Sequence, residues 1–575
     1  YSCMSTINRA ELSSKPMEKD FDSNLDPIFK KYANKTLPTG LMKTTAGINP
    51  YNGAWTEAEV LHLLRRCTFS PNATMVQTLL AMNPSQAVDL LFTNATNTIT
   101  TPPINDYNTA TYTDPTGIAP GATWVNAAYG DGTVNYKRGI SMKAWWMKQM
   151  IKNNNSILEK MVLFWHNHFS NELSTVPDAR VYYKHLELLR TYALGNFKTF
   201  TRQMTTDVCM LYYLNGYLNT NTSPDENYAR ELQELFTVGK ENSPNYSEDD
   251  VKAAAKVLTG WRINNTTTIP TAFFDSTKHH TSNKQFSAFY GNAVIPYQSG
   301  ANGALETDIL IDMLFSKQQE VAKFMCRKLY RFFIYYTIDN TVETNVIAPL
   351  AQIFINNNWD IVPVLKTLFK SEHFFELNSK GCIIKSPIDF LVGIFNTFKV
   401  DVPATMTDYN KALIYNYVRS YGSLIAQDIA DPPNVSGWPS YYQVPEFHEI
   451  WINSNTLPRR MVFSDMMLNS GFTAGSGTTI KIDYLNFVAQ IPNADDPVLL
   501  IDYLCNFLLG ISVSQSKKDA LRINYLLSGQ TSNYYWTNAW ITYIGNPNTA
   551  NTNIVKPRLL GLFLELTRLP EFQLS

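Results

Sequence analysis

Apolar residues recur at helical spacing through most of the chain, and few stretches alternate at period two. Thr56-Glu-Ala-Glu59 has the form of a capping box and opens a helix through Leu61, Leu64 and Arg65. Further helices are predicted from Pro71, from Pro84, from Tyr136 through Trp145 and Trp146, from Ser156 to His168, and from Asp178 to Leu194. Ser247-Glu-Asp-Asp250 caps another, ending at Gly260-Trp261. From Leu305 the pattern is helical almost to the end, broken at Asp431-Pro-Pro433 and Gly437-Trp-Pro439. Two stretches depart from it. Residues 93–134 are rich in Thr, Asn, Pro and Gly and too long for a plain loop, so they are predicted to run over the surface. Residues 262–304, rich in Thr, Asn and Phe with Gly turns, have room for a short hairpin or two. Residues 1–50 are polar, with Pro breaks, and read as an N-terminal arm. The prediction is a mainly α protein: one large multi-helix domain over 51–575 with small β or irregular insertions.

Composition narrows the function classes. Hydrophobic residues make up 45% of the 575, enough for a sizeable core, while charged residues are only 17%. A net charge of -1 with no long basic run argues against a nucleic-acid partner. No apolar run is long enough to cross a bilayer; the best, Val498 to Val513, contains Asp502 and Asn506. The six cysteines have no CxxC spacing, which argues against a zinc knuckle or a disulfide-dense scaffold. Cys67, Cys209 and Cys326 fall in apolar helical patterns and are predicted as buried thiols. Cys3 lies in the polar leader, where lipid attachment and a disulfide both remain open. The 32 Tyr and 11 Trp suit carbohydrate faces, although packing is their first use.

Candidate chemistry centres on Ser223 to Gly239. Ser223, Pro224, Asp225 and Glu226 suit a helix start, and Gly239 a helix stop. Tyr228, Leu232, Leu235 and Phe236 form the buried stripe, with Arg230, Glu231 and Glu234 on the neighbouring face. Glu231 or Glu234 is a candidate general acid or base, because like charges in one site split their pKa values. His166 and His168 are a candidate metal pair. Two apart on a continuous helix they diverge, but they can converge if the helix ends between them. His279 and Lys284 lie in the second insertion, where a loop can close over a pocket. Arg327 and Arg331 share a helix face, able to grip an anionic group or to bridge internally to Glu231 or Glu234. Asn434 and Trp438 stand on a proline-stiffened turn that fits a pocket wall.

Several of these segments together resemble domain-of-unknown-function family 1800. They are Leu63-Leu-Arg-Arg66, Trp165-His-Asn-His-Phe169, Asn227 to Gly239, Leu258-Thr-Gly-Trp-Arg262 and Arg327 to Phe333. Lys385-Ser-Pro387, Asp431 to Pro439, Trp451-Ile-Asn-Ser454 and Pro570 to Leu574 complete the set. The resemblance implies an exported, mainly helical bacterial protein of Bacteroidetes-like type, whose gene neighbours often encode a sulfatase-like family. It implies no established reaction. The family's His-Asp-x-Gly-x-Lys motif corresponds to His279-His-Thr-Ser-Asn-Lys284, with His280 where the acid stands and Ser282 where the glycine stands.

Two functions follow as expectations. One is a hydrolase or lyase acting on an extracellular glycan or ester, metal-assisted or carboxylate-dependent. One divalent ion at His166 and His168 would make a bound water nucleophilic. The other is a non-catalytic component of a cell-envelope or surface assembly, with a sulfatase-like protein as a candidate partner. Either places the protein in the periplasm, at the outer-membrane surface or outside the cell.

Overall fold

Helix boundaries follow local chemistry at most ends. The computed structural model describes residues 46–98, 100–241, 245–475 and 477–575; Cys3 and nearly all of the polar arm lie outside them. The Thr56 capping box opens Glu57–Cys67, the Ser247 box opens Glu248–Val257, and Asn83 caps Pro84–Thr96. The helix expected at Pro71 begins at Ala73 instead, because Asn72 takes the cap. The helix expected from Ser223 begins at Asn227. Thr220 and Ser223 form an isolated bridge, and the Asp225 carboxylate receives the Asn227 N–H at 2.9 Å, so 223–226 is a turn.

The helices pack around one continuous apolar core that runs from Val60 to Phe572. Gly132–Lys152 packs on Asp408–Leu424, Gln318–Phe333 on Ala348–Asn356, and Thr549–Arg568 on Thr456–Leu468. The protein is mainly α. The β structure among the described residues is three two-stranded antiparallel hairpins. Trp261–Asn264 pairs with Thr271–Phe274 and Lys284–Gln285 with Val294–Ile295, both inside the second insertion. The third, Phe472–Ala474 with Thr478–Ile480, lies where a helical pattern was expected. Among the described residues no helix is long and apolar enough to cross a membrane. Cys67, Cys209 and Cys326 are buried free thiols.

Trp165 anchors the centre. It is fully buried, its indole N–H donates to the Ala193 carbonyl at 3.0 Å, and Phe197 stacks on it at 5.6 Å while Phe200 meets it edge-on. Several charges enter this interior as ion pairs. Arg138 meets Asp114 at 3.0 Å, pinning residues 100–131 to the body, and Arg190 meets Glu159 at 2.5 Å.

The second insertion is held by a closed triad. Glu306 receives His279 Nε2 at 3.0 Å and Lys284 Nζ at 2.5 Å, and all three are buried. Lys284 also donates to the His280 carbonyl, and His279 Nδ1 lies 2.9 Å from the Thr259 carbonyl. His279 and Lys284, expected to act chemically, are saturated structural groups with no open face. Replacing Glu306 with Gln strands two buried bases, so Glu306→Gln is expected to cost about 3–5 kcal/mol. Urea unfolding monitored by circular dichroism measures that loss.

Candidate functional site

The last turn of a helix leaves carbonyls without intrahelical partners. The helix Asn227–Glu231 continues as a π turn over Leu232–Thr237 and stops at Gly239. Gly239 has φ +73°, and a Cβ there would stand 2.5 Å from the Phe324 ring. Two side chains from elsewhere take the free carbonyls. Lys328 Nζ donates to Leu235 O at 2.8 Å, and His168 Nε2 donates to Phe236 O at 3.1 Å. Lys328 also donates to His168 Nδ1 at 3.2 Å, which fixes the imidazole tautomer. Burial, with the Lys328 charge behind it, holds His168 neutral, well below the ordinary histidine value. Burial, with Arg331 adding to it, pushes the Lys328 amine down to about 7 against the opposing pull of Glu241.

This pair opens on a cleft of about 360 Å3, within the range of small-ligand sites. Phe164, Phe324 and Phe332 give it apolar walls, and Asn167, Glu234, Glu241, Arg331, Tyr441 and Tyr442 its polar ones. Glu234 meets Lys240 at 3.0 Å. Glu241 is held by Arg327 at 3.1 Å and Arg331 at 3.0 Å. Gly437, at φ +84°, lets the proline-rich turn approach so closely that Asn167 Oδ1 accepts the Trp438 N–H at 2.9 Å. Four segments distant in sequence thus meet at one opening.

His166 and His168 do not share a ligand position. The helix Leu158–His168 continues through both, so the rings diverge by its repeat. His166 packs between Trp146 and Trp438, and its Nε2 accepts the Ala430 N–H at 3.2 Å. Ala430 sits at φ +66°, so this imidazole secures a strained backbone position. Both His168 nitrogens are engaged, and the two histidines do not fit one ion. His185, Asp207 and Cys209 are the described residues whose donor atoms lie close enough together for a metal. There the imidazole is bonded to Asp207 at 2.9 Å and to the Asn171 amide at 2.9 Å, and burial pushes the Cys209 thiol well up. A metal at this cluster would have to break those bonds.

The other expected residues separate. Arg230 faces outward to Glu248, at 2.6 Å, and Glu226, at 3.1 Å. Glu231 is half-buried outside the cleft; burial first, then the Glu234 charge, raises its pKa. Arg327 is saturated by Glu343 and Glu241, and Arg331 also pairs with Glu241, so the internal bridge forms with acids other than Glu231 and Glu234. Trp438 is buried and presents no ring to the cleft, whereas Asn434 is exposed and bonds Tyr442 at 3.2 Å. Lys328 carries no motif of its own. Its signal is a lysine between Phe324 and Phe332 at successive four-residue steps, inside an apolar helical stripe.

The fold and site define a mainly helical protein with a polar cleft built where separate helices end. The chain belongs to the family described as protein of unknown function (DUF1800), whose model matches residues 62–574. No curated protein and no solved structure matches the chain.

An amine that holds its proton less tightly folded than unfolded makes stability rise with pH. The rise runs from about 7 up to the ordinary lysine value of about 10.4. The stability of the wild type relative to Lys328→Met is therefore expected to increase between pH 6.5 and 9.5, read from urea midpoints at each pH.

Proposed function

We propose that the cleft is the active site of an exported hydrolase or lyase acting on an extracellular glycan or ester, with Lys328 as the proton-transfer group. The observation that carries this reading is a half-buried amine, aimed by two acceptors, opening on a cleft of 360 Å3. A base works best when its pKa lies near the working pH, and burial tunes lysine readily. Neutral Lys328 would take a proton from an attacking water in hydrolysis, or from carbon in elimination. His168 positions the amine. Tyr442, exposed at the cleft, offers its ring to a sugar, and Glu234 is the carboxylate retained from the expected pair. The divalent ion has no assigned role in this reading.

A second reading, a non-catalytic component of an envelope assembly with a sulfatase-like partner, draws on exposed apolar side chains of the helix Tyr534–Gly545. Tyr534, Ile541 and Ile544 stand 66%, 56% and 51% exposed.

The two are separated by assaying the wild type, Lys328→Met and Glu231→Gln against chromogenic esters and neutral and acidic glycans. The proposed site predicts a loss of about 10²–10⁴-fold in Lys328→Met and a rate within about threefold in Glu231→Gln. Equal rates in wild type and Lys328→Met would sink it. A stoichiometric partner on purification, with no turnover, would favour the assembly.

A further inference from the structure

Beside the cleft lies a second cavity of about 30 Å3, and Arg331, Phe332 and Tyr441 line both. Its wall carries Arg65, Arg66, Lys160 and Arg331 against one acidic side chain, Asp389, with Ser575 also in the lining. Asp389 is already bonded by Lys160 and, at 3.0 Å, by the Ser386 hydroxyl. Arg331 gives one nitrogen to Glu241. The two remaining guanidinium groups meet neutral acceptors. Arg65 donates to the Asn506 and Phe507 carbonyls at 3.0 Å each, and Arg66 to the Ser379 carbonyl at 2.9 Å and the Cys382 sulfur at 3.1 Å. Neither forms an ion pair with a carboxylate among the described residues.

Four buried polar atoms of the cavity's lining residues have no partner: Arg66 Nε, Arg331 Nε, Ser440 Oγ and His448 Nε2. Arg66 is 3% exposed and Ser440 4%. All four are donors. His448 Nδ1 accepts the Ile384 N–H at 3.2 Å, which leaves the proton of the neutral imidazole on Nε2. Burial, with Arg66 behind it, keeps that imidazole neutral by pushing it down to about 4. A water accepts two hydrogen bonds and leaves the positive charge of the arginines unbalanced. An oxyanion brings acceptors alone and supplies the missing negative charge.

We infer that this cavity is an oxyanion subsite, taking a sulfate, phosphate or carboxylate group through Arg66, Arg331, Ser440 and His448. Its volume is about that of two water-sized centres, enough for a charged head and too small for a sugar ring. The cleft next to it would hold the rest of the ligand, so the substrate class narrows to acidic glycans or anionic esters. That last step rests on the proposed function; anion binding itself does not.

The experiment titrates the full chain with sodium sulfate, inorganic phosphate and sodium acetate in separate arms, at ionic strength fixed with sodium chloride. Thermal shift and calorimetry provide the readouts. Saturable binding in at least one arm is expected. Preference for a tetrahedral or a planar anion then separates sulfate and phosphate from carboxylate. Arg66→Gln is expected to weaken the binding at least tenfold. Ser440→Ala, which removes a donor without touching charge, should weaken it severalfold if Arg66→Gln does not fold. Lys328→Met should bind the anion as the wild type does, so loss of turnover and loss of anion binding are separable. No saturable binding in any arm would overturn the inference, the donors then being held by water or by a carboxylate of the chain itself. So would binding that neither Arg66→Gln nor Ser440→Ala changes.

Discussion

Carbonyl groups at the end of a buried helix must find donors, and here that requirement organises the site. Leu235 and Phe236 lie where the π turn before Gly239 leaves their oxygens facing neighbouring segments. The donors come from Lys328 and His168, on helices that start about 160 residues apart. Once the two bonds form, both helices are fixed in rotation against the third. The cleft is the space left between them. A cation at this helix end is also favoured by the aligned peptide dipoles, which works against the burial that weakens its proton.

The charges divide into two populations. One is closed. Glu306 with His279 and Lys284, Arg138 with Asp114, and Arg190 with Glu159 satisfy each other and hold insertions and helices in place. The other is incomplete. Lys328 donates to two neutral acceptors, and Arg65 and Arg66 donate to carbonyls and a sulfur. A protein interior tolerates such excess charge poorly unless something arrives to balance it. The incomplete groups border two cavities that share a wall.

Much of the architecture was legible in the sequence because its signals are local. The capping boxes at Thr56 and Ser247, the Asn83 cap before Pro84 and the Gly239 stop each act within one turn of chain. Of the two histidines and two acids singled out in the sequence, His168 and Glu234 line the cleft, while His166 and Glu231 are not in its lining. What the sequence could not convey depends on how helices rotate against each other. Arg230 and Glu231 share a segment with Glu234 yet face away from the cleft. Trp438 turns inward because Gly437 brings its N–H onto Asn167. Lys328 was hidden by its neighbours: Arg327 and Arg331 drew the reading, while the apolar stripe that buries the lysine is what changes its chemistry.

Gly239 ties two properties together that are usually adjustable apart. Its missing side chain permits the left-handed turn that ends the helix, and the vacated space is filled by the Phe324 ring, which is also a cleft wall. Any side chain at this position would have to displace that ring, so the point where the helix terminates and the shape of the cleft wall are coupled through a single hydrogen atom.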